Sequence, residues 1–293
     1  MPAPFRHLIP ATFVLIWSSG FIIARYGMPH AEPMTFLFMR FTGVLAIMVP
    51  VVLLIRPRWP DRAQIGHIAL AGVLLQAGYL GGVWAAVKQG MSAGLVALIM
   101  GLQPIVTAWF AAVVAERLTS RQWIGLTLGI LGVGLVVYAK LSLTGLRVTS
   151  LGLAAIALAS ITIGTLYQKR FCPSFDLRAG SVIQFAVSAV ACVPFMMLVE
   201  TRQVEWHPEL IGALIWAIFG LSIGAISLLF VMIRDGAATQ VTSLLYLTPP
   251  TTAIMAWLLF NEPITLFTVS GTLLTVWGVW WVMASRSEDH KAS

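Results

Sequence analysis

Apolar residues run along this chain in long blocks, broken by short clusters of charge, glycine and proline. A bilayer core about 30 Å thick is crossed by roughly 20 residues of helix. The pattern predicts ten such helices, over 8–26, 35–55, 64–87, 92–114, 122–139, 150–168, 179–199, 210–233, 237–260 and 265–284. Several connections are very short, as at Lys88–Gly90 and Asp235–Gly236, and force neighbouring helices to run antiparallel. In lipid every backbone polar group must be bonded inside the protein, which helices of this length do. The expected fold class is an all-α membrane protein with ten transmembrane helices in a compact bundle.

Two of these blocks share an awkward feature. Residues 96–119 read VALIMGLQPIVTAWFAAVVAERLT and residues 242–265 read TSLLYLTPPTTAIMAWLLFNEPIT, each with proline in its middle and glutamate near its end. With an offset of 146, residues 90–136 align with 236–282 without a gap. Pro104 then meets Pro250, Glu116 meets Glu262, and Gly90, Gly125 and Gly132 meet Gly236, Gly271 and Gly278. A fainter echo at offset 144 pairs Gly20 with Gly164, Arg25 with Lys169 and Pro29 with Pro173. Internal duplication explains this, giving a first repeat over 1–142, a second over 148–285 and a short tail over 286–293. Five spans per repeat is an odd number, so the second repeat enters the membrane from the opposite side. An inverted-topology repeat is a hallmark of secondary transporters.

The opening WSSGFIIARYG, together with the blocks Pro104–Glu116–Gly125–Gly132 and Pro250–Glu262–Gly271–Gly278, resembles the EamA family of the drug/metabolite transporter superfamily. The resemblance covers essentially the whole chain. It implies a multi-pass exporter of the bacterial inner membrane, acting on amino acids or related metabolites.

Composition agrees with the membrane assignment. Charged residues are 10% of the chain and apolar ones 59%, with a mean hydropathy of +0.90. Soluble proteins carry about 25% charged residues, so there is too little charge here to coat a water-facing surface. The net charge of +7 is scattered between apolar runs with no basic cluster, which excludes nucleic acid as a partner. One side of the predicted topology collects Arg6, Arg56, Arg58, Arg62, Arg117, Arg121, Lys169, Arg170, Arg178, Arg234, Arg286 and Lys291. The other collects Arg25, Arg40, Lys88, Lys140, Arg147 and Arg202. The positive-inside rule then places both termini in the cytoplasm, and Trp59, Trp123, Trp206 and Trp281 near span ends suit an interfacial belt. The first apolar run is long for a signal peptide and lacks a cleavage signal, so it reads as an uncleaved span. Cys172 and Cys192 are too few for a disulfide framework. The five histidines lie in loops or near helix ends with no metal-like clustering, and no cofactor is expected.

Transporter sites lie near the bilayer midplane, where helices are interrupted. A proline inside a helix removes one backbone bond and clashes with the carbonyl four residues back. Pro104 thereby frees the carbonyl of Met100, Pro249 that of Leu245, and Pro250 that of Tyr246. The two kinks are expected to face each other, with Gln103 beside one and Thr248 beside the other. Trp17, Gln76, Tyr79 and Gln184 complete the expected substrate-binding set, since buried amides need several partners. Ser18, Ser160, Thr165 and Ser188 are further mid-depth polar residues, whose ordinary role is helix–helix bonding. The expected cavity is neutral, with aromatic and amide walls.

Glu116 and Glu262 close spans four and nine. They read as capping the following helix or pairing with a nearby base, with gating as the alternative. No acid lies at mid-depth in any predicted span, which disfavours a proton-coupled exporter of lipophilic cations. Arg40, one turn into span two, is expected to snorkel to the interface. An intramembrane enzyme would need a nucleophile with a base, or metal ligands, converging at depth, and the sequence offers neither. The expectation is a small-molecule exporter in a lipid bilayer, not an enzyme, and compatible with a monomer. A multidrug exporter is the alternative.

Overall fold

The structure, a computed structural model, describes residues 8–115, 120–144, 146–225, 227, 228, 232 and 244–292. Its helices are α1 (Leu8–Gly27), α2 (Pro33–Ile55), α3 (Arg62–Gly72), α4 (Tyr79–Lys88), α5 (Ala93–Met100) and α6 (Gln103–Ala115), followed by α7 (Ser120–Thr144), α8 (Val148–Phe171), α9 (Leu177–Leu198), α10 (Pro208–Ile215), α11 (Thr248–Phe260) and α12 (Leu266–Ala292). Wider π-helical turns over Val73–Gly78 join α3 to α4, and a second π-helical stretch, Trp216–Ala225, continues α10. No strand occurs among the described residues. Among the described residues, six continuous helical stretches are long and apolar enough to cross a membrane, over 9–27, 33–55, 62–88, 148–171, 177–198 and 208–225. These follow the expected first, second, third, sixth, seventh and eighth spans, the eighth being expected to run on to residue 233. The expected fourth span is divided at Gly101–Leu102, and parts of the eighth and ninth lie outside the described residues.

Local residues set the helix ends. Asp61 and Asp176 precede α3 and α9 in extended conformation and accept N–H bonds from Gln64 (2.8 Å) and Arg178 (2.9 Å). Such caps satisfy donors that the first helical turn leaves open. Asn261 stops α11 by turning left-handed, with φ at 53°. Pro50 and Pro194, 144 positions apart, lie inside α2 and α9.

The chain forms two compact units, and each draws on both halves of the sequence. The first unit comprises Met1–Ile22, Gly90–Leu151 and Ala225–Ser293; the second comprises Ile23–Gln89 and Gly152–Gly224. In the first, α7 and α12 run closely side by side, and α5 packs on α11. Glycines make the first of these approaches possible. A β-carbon on Gly132 would fall 2.5 Å from the Gly271 carbonyl oxygen, and one on Gly278 would fall 2.5 Å from that of Gly125. Small residues serve this role in membranes because apolar attraction between helices is no stronger than attraction to lipid.

In the second unit α9 is the central element, packed against α2 and α3. Phe41 meets Phe185 at 5.8 Å, and the Ser188 hydroxyl donates to the Gly72 carbonyl at 3.0 Å. Ile68, Ile183 and Cys172 form a buried cluster. Both cysteines remain free. The Glu200 carboxylate closes the start of α2, accepting from Met34 N (2.6 Å), Thr35 N (2.8 Å) and Thr35 Oγ1 (2.8 Å). An anion at a helix N-terminus is favoured by the helix dipole.

Folding also creates a histidine cluster that the linear sequence hides. His30 and His207 stack at 4.6 Å, and Glu209 Oε2 lies 3.1 Å from His30 Nε2. One donor atom from each of these three residues lies within 4.8 Å of the others, a set able to hold a divalent cation. The expectation of no metal-like clustering is corrected here, because His30 and Glu209 are 179 positions apart in sequence.

Large apolar side chains point outward along the spans, with Leu54 and Leu198 each 84% exposed. A water-facing surface would not tolerate so much exposed apolar area, whereas lipid favours it. Trp59, Trp123 and Trp206 are exposed near helix ends, as an interfacial belt requires.

Candidate functional site

Two interrupted helices meet in the first unit. Helix α5 stops at Met100, Gly101 and Leu102 form a turn, and α6 begins at Gln103 with Pro104 second. Without an N–H on Pro104, the chain tightens and Leu102 N bonds back to Ile99 O at 3.0 Å. The partner break follows the same logic. Residues 244 and 245 are helical, 246 and 247 turn, and Leu247 N bonds to Leu244 O at 3.0 Å. Pro249 and Pro250 then occupy the first turn of α11. Missing N–H groups cost nothing there, because first-turn donors have no intrahelical partner. The prolines therefore open second half-helices and do not kink continuous ones.

These breaks touch. A β-carbon on Gly101 would lie 2.9 Å from Pro249 Cγ. Thr248 beside Pro249 is buried, and its Oγ1 has no hydrogen-bond partner among the described residues. Thr252, one turn further along α11, donates to the Ser18 carbonyl of α1 at 3.3 Å. The Ser18 hydroxyl is fully buried and also lacks a partner among the described residues. Buried polar atoms are nearly always paired, so two orphan hydroxyls on helices joined by this bond mark a polar spot waiting for a partner. Of the sequence candidates, Met100 is buried and Gln103 and Tyr246 are half-buried at the breaks. Trp17 packs instead on the cluster of Phe13, Val14 and Met232, beside Leu244 and Leu245.

The second unit holds the remaining candidates. Gln76 lies within the first π-helical stretch and Tyr79 directly follows it. Gln184 on α9 does not stand open, since its Nε2 donates to Gln168 Oε1 at 2.9 Å. Its backbone packs on Gly72, where a β-carbon would fall 2.7 Å from the Gln184 Cα. The larger finding is Arg40. Only 6% exposed, it donates from Nε (3.1 Å) and Nη2 (3.0 Å) to the hydroxyl of Ser222 in the second π-helical stretch. This corrects the expectation of snorkelling. Arg40 stands seven residues after Pro33, about 10 Å along α2 at 1.5 Å per residue, and is turned inward. The surroundings in this unit are therefore not neutral.

Glu262 accepts from Ala93 N at 3.3 Å, so it caps α5 across the chain and not the helix that follows it. It lines a small cleft of about 20 Å³ with Ser92, Gly94, Ala253 and Thr268, room for a single water. Glu116 lies outside the described residues. Sequence reading missed Ser222 and Glu200 as partners because each acts on a residue at least 165 positions away, and Gln168 because it reaches Gln184 across the connection between two helices.

Long apolar helices, breaks at proline and buried polar groups inside spans define a multi-pass membrane transporter. The chain belongs to the EamA-like transporter family, whose model matches it twice, over residues 7–138 and 149–284. A probable amino-acid metabolite efflux pump of Escherichia coli strain K12 is 26% identical over 272 residues, 91% of this chain and 77% of the relative. A protein of the same description from Salmonella typhimurium strain LT2 is 26% identical over 186 residues, 63% and 60% of the two chains. An uncharacterized transporter of Archaeoglobus fulgidus is 24% identical over 96% of this chain and 98% of its own. A crystal structure of 18% sequence identity has the same fold, with a TM-score of 0.64 over 96% of this chain and 98% of that one.

Proposed function

We propose that this chain exports amino acids or closely related metabolites across a bacterial inner membrane by alternating access. The observation that carries the reading is the meeting of two interrupted helices at Gly101 and Pro249, with orphan hydroxyls at Ser18 and Thr248. Interrupted helices at depth bring unbonded backbone groups and polar side chains to a substrate. The substrate-contacting residues in this proposal are Met100, Gln103, Tyr246 and Thr248 at the breaks, with Trp17, Gln76, Tyr79 and Gln184 supporting. Pro104, Pro249 and Pro250 act as hinges, and Glu116 and Glu262 as gate or helix-end elements.

Two inverted five-span repeats, over 1–142 and 148–285, complete the reading, with both termini cytoplasmic. Several features support duplication. The family model matches once in each half. The contacts Gly132–Gly271 and Gly125–Gly278 exchange under the 146-residue offset, as contacts across a two-fold axis do. The stretch Val73–Gly78, moved by 146, falls inside the second π-helical stretch.

The names of the Escherichia and Salmonella relatives support amino acids as the substrate class. Among the described residues no carboxylate lies at mid-depth, which weighs against proton-coupled drug export. The test is transport by Gln103→Leu and Tyr246→Ala variants in proteoliposomes, with and without an imposed pH gradient. Altered rate or selectivity in folded variants is expected, and wild-type behaviour in both would move the site elsewhere.

A further inference from the structure

A guanidinium is buried inside the second unit, and among the described residues its hydrogen-bonding partner is one hydroxyl. Arg40 places Nε and Nη2 on Ser222 Oγ, at 3.1 and 3.0 Å. Ser222 Oγ has committed its own proton to the Ala217 carbonyl at 2.9 Å, so it meets Arg40 as an acceptor. Arginine carries five N–H donors and keeps its charge at any physiological pH. No hydrogen bond to Nη1 is made by any described residue, and no described carboxylate pairs with the guanidinium. The acids of this unit are engaged elsewhere: Glu200, Asp61 and Asp176 cap α2, α3 and α9, Glu32 faces Lys88 at 3.8 Å, and Glu205 and Glu209 face the stacked histidines.

A buried, unneutralised cation is strongly disfavoured, and inside a membrane protein it marks a functional site. Among the described residues no carboxylate supplies the counter-charge, which leaves room for one brought by a ligand. Arginine's planar fork matches a carboxylate in two parallel bonds. Tyr79 lies within electrostatic reach of Arg40, and its phenol offers a further donor. Ser222 belongs to one π-helical stretch and Tyr79 follows the other, and such stretches recur at functional sites.

We propose that Arg40 binds the carboxylate of a small organic anion, with Ser222 as the positioning residue that aims the guanidinium. That the bound carboxylate belongs to the exported substrate rests on the export reading; the binding itself does not.

The experiment uses the purified full-length protein. Its melting temperature is followed against each of the protein amino acids and short carboxylates such as propionate, beside the matching amides. At least one carboxylate is expected to stabilise the protein saturably, with its amide about tenfold weaker or more. Arg40→Gln is expected to abolish that preference, Arg40→Lys to retain part of it, and Ser222→Ala to weaken it. The proposal is overturned if no carboxylate stabilises the wild type, or if amides do so equally well. It is also overturned if Arg40→Gln keeps the preference, or if only added phosphatidylglycerol stabilises the protein, which would make a lipid phosphate the counter-charge. Should Arg40→Gln fail to fold, the wild-type preference and Ser222→Ala decide the question. Carboxylate binding without amino-acid transport would defeat the export reading and leave the site standing. Amino-acid transport with no carboxylate preference would do the reverse.

Discussion

Gly132 and Gly271 pack backbone against backbone. A β-carbon on either would fall 2.5 Å from the other's carbonyl oxygen, closer than any real packing allows. Gly132→Ala and Gly271→Ala must therefore push α7 and α12 apart. Each is expected to destabilise by about 1–3 kcal/mol, the usual cost of overpacking. Gly134, also on α7, has nothing within 4 Å of its would-be β-carbon. Gly134→Ala is expected to be neutral or to gain up to about 1 kcal/mol from helix propensity. Thermal unfolding followed by tryptophan fluorescence checks the contrast; equal melting of the Gly132 and Gly134 variants would refute this close crossing.

The orphan hydroxyl of Thr248 gives a prediction of opposite sign. Thr248→Val removes a buried polar atom that bonds nothing, while keeping shape, so stability should hold or rise. Transport should nonetheless weaken through a higher KM. Ser18→Ala should behave alike. A drop in melting temperature with unchanged transport kinetics would make both residues structural.

Glu262 holds the first turn of α5 through Ala93 N. A carboxylate at a helix N-terminus contributes about 0.3–1 kcal/mol. Glu262→Ala should speed hydrogen exchange at Ala93 and its neighbours, and Glu262→Gln, which keeps an acceptor, should do so less. Unchanged exchange in Glu262→Ala would remove Glu262 from the cap.

Asp176, in the connection before α9, accepts from the Arg178 side chain at 2.9 and 3.2 Å as well as from its backbone. The Arg178 hydrogen bond holds its carboxyl below the usual carboxylate range. A depressed folded pKa gives stability that is present above the unfolded value, near pH 4, and is lost as pH falls through the folded one. The melting difference between wild type and Asp176→Asn should therefore be largest near neutrality and shrink in acid. A constant difference from pH 7 to pH 3 would contradict this.

The positions of the six long apolar helices were legible in the sequence because lipid imposes one rule, about 20 apolar residues per crossing. The break near Pro104 was legible too, but its place was not. Steric conflict with the preceding turn moves the interruption to Gly101–Leu102, and two adjacent prolines are more stable opening α11 than bending it. Arg40 was visible as the lone charge in span two, one turn from its start. Its burial was not, because helix α2 begins two residues earlier than the apolar pattern suggests and Ser222 lies 182 positions away. Glu200 was hidden for a similar reason, since its cap joins residues 165 and 166 positions apart.

The central claim, export of amino acids by alternating access, is tested most directly by counterflow. Proteoliposomes holding purified wild-type protein are loaded with one unlabelled amino acid at a time and given a trace of the labelled compound outside. Transient accumulation of label for at least one amino acid, absent from protein-free liposomes, is the predicted result. No counterflow for any of them would contradict the account.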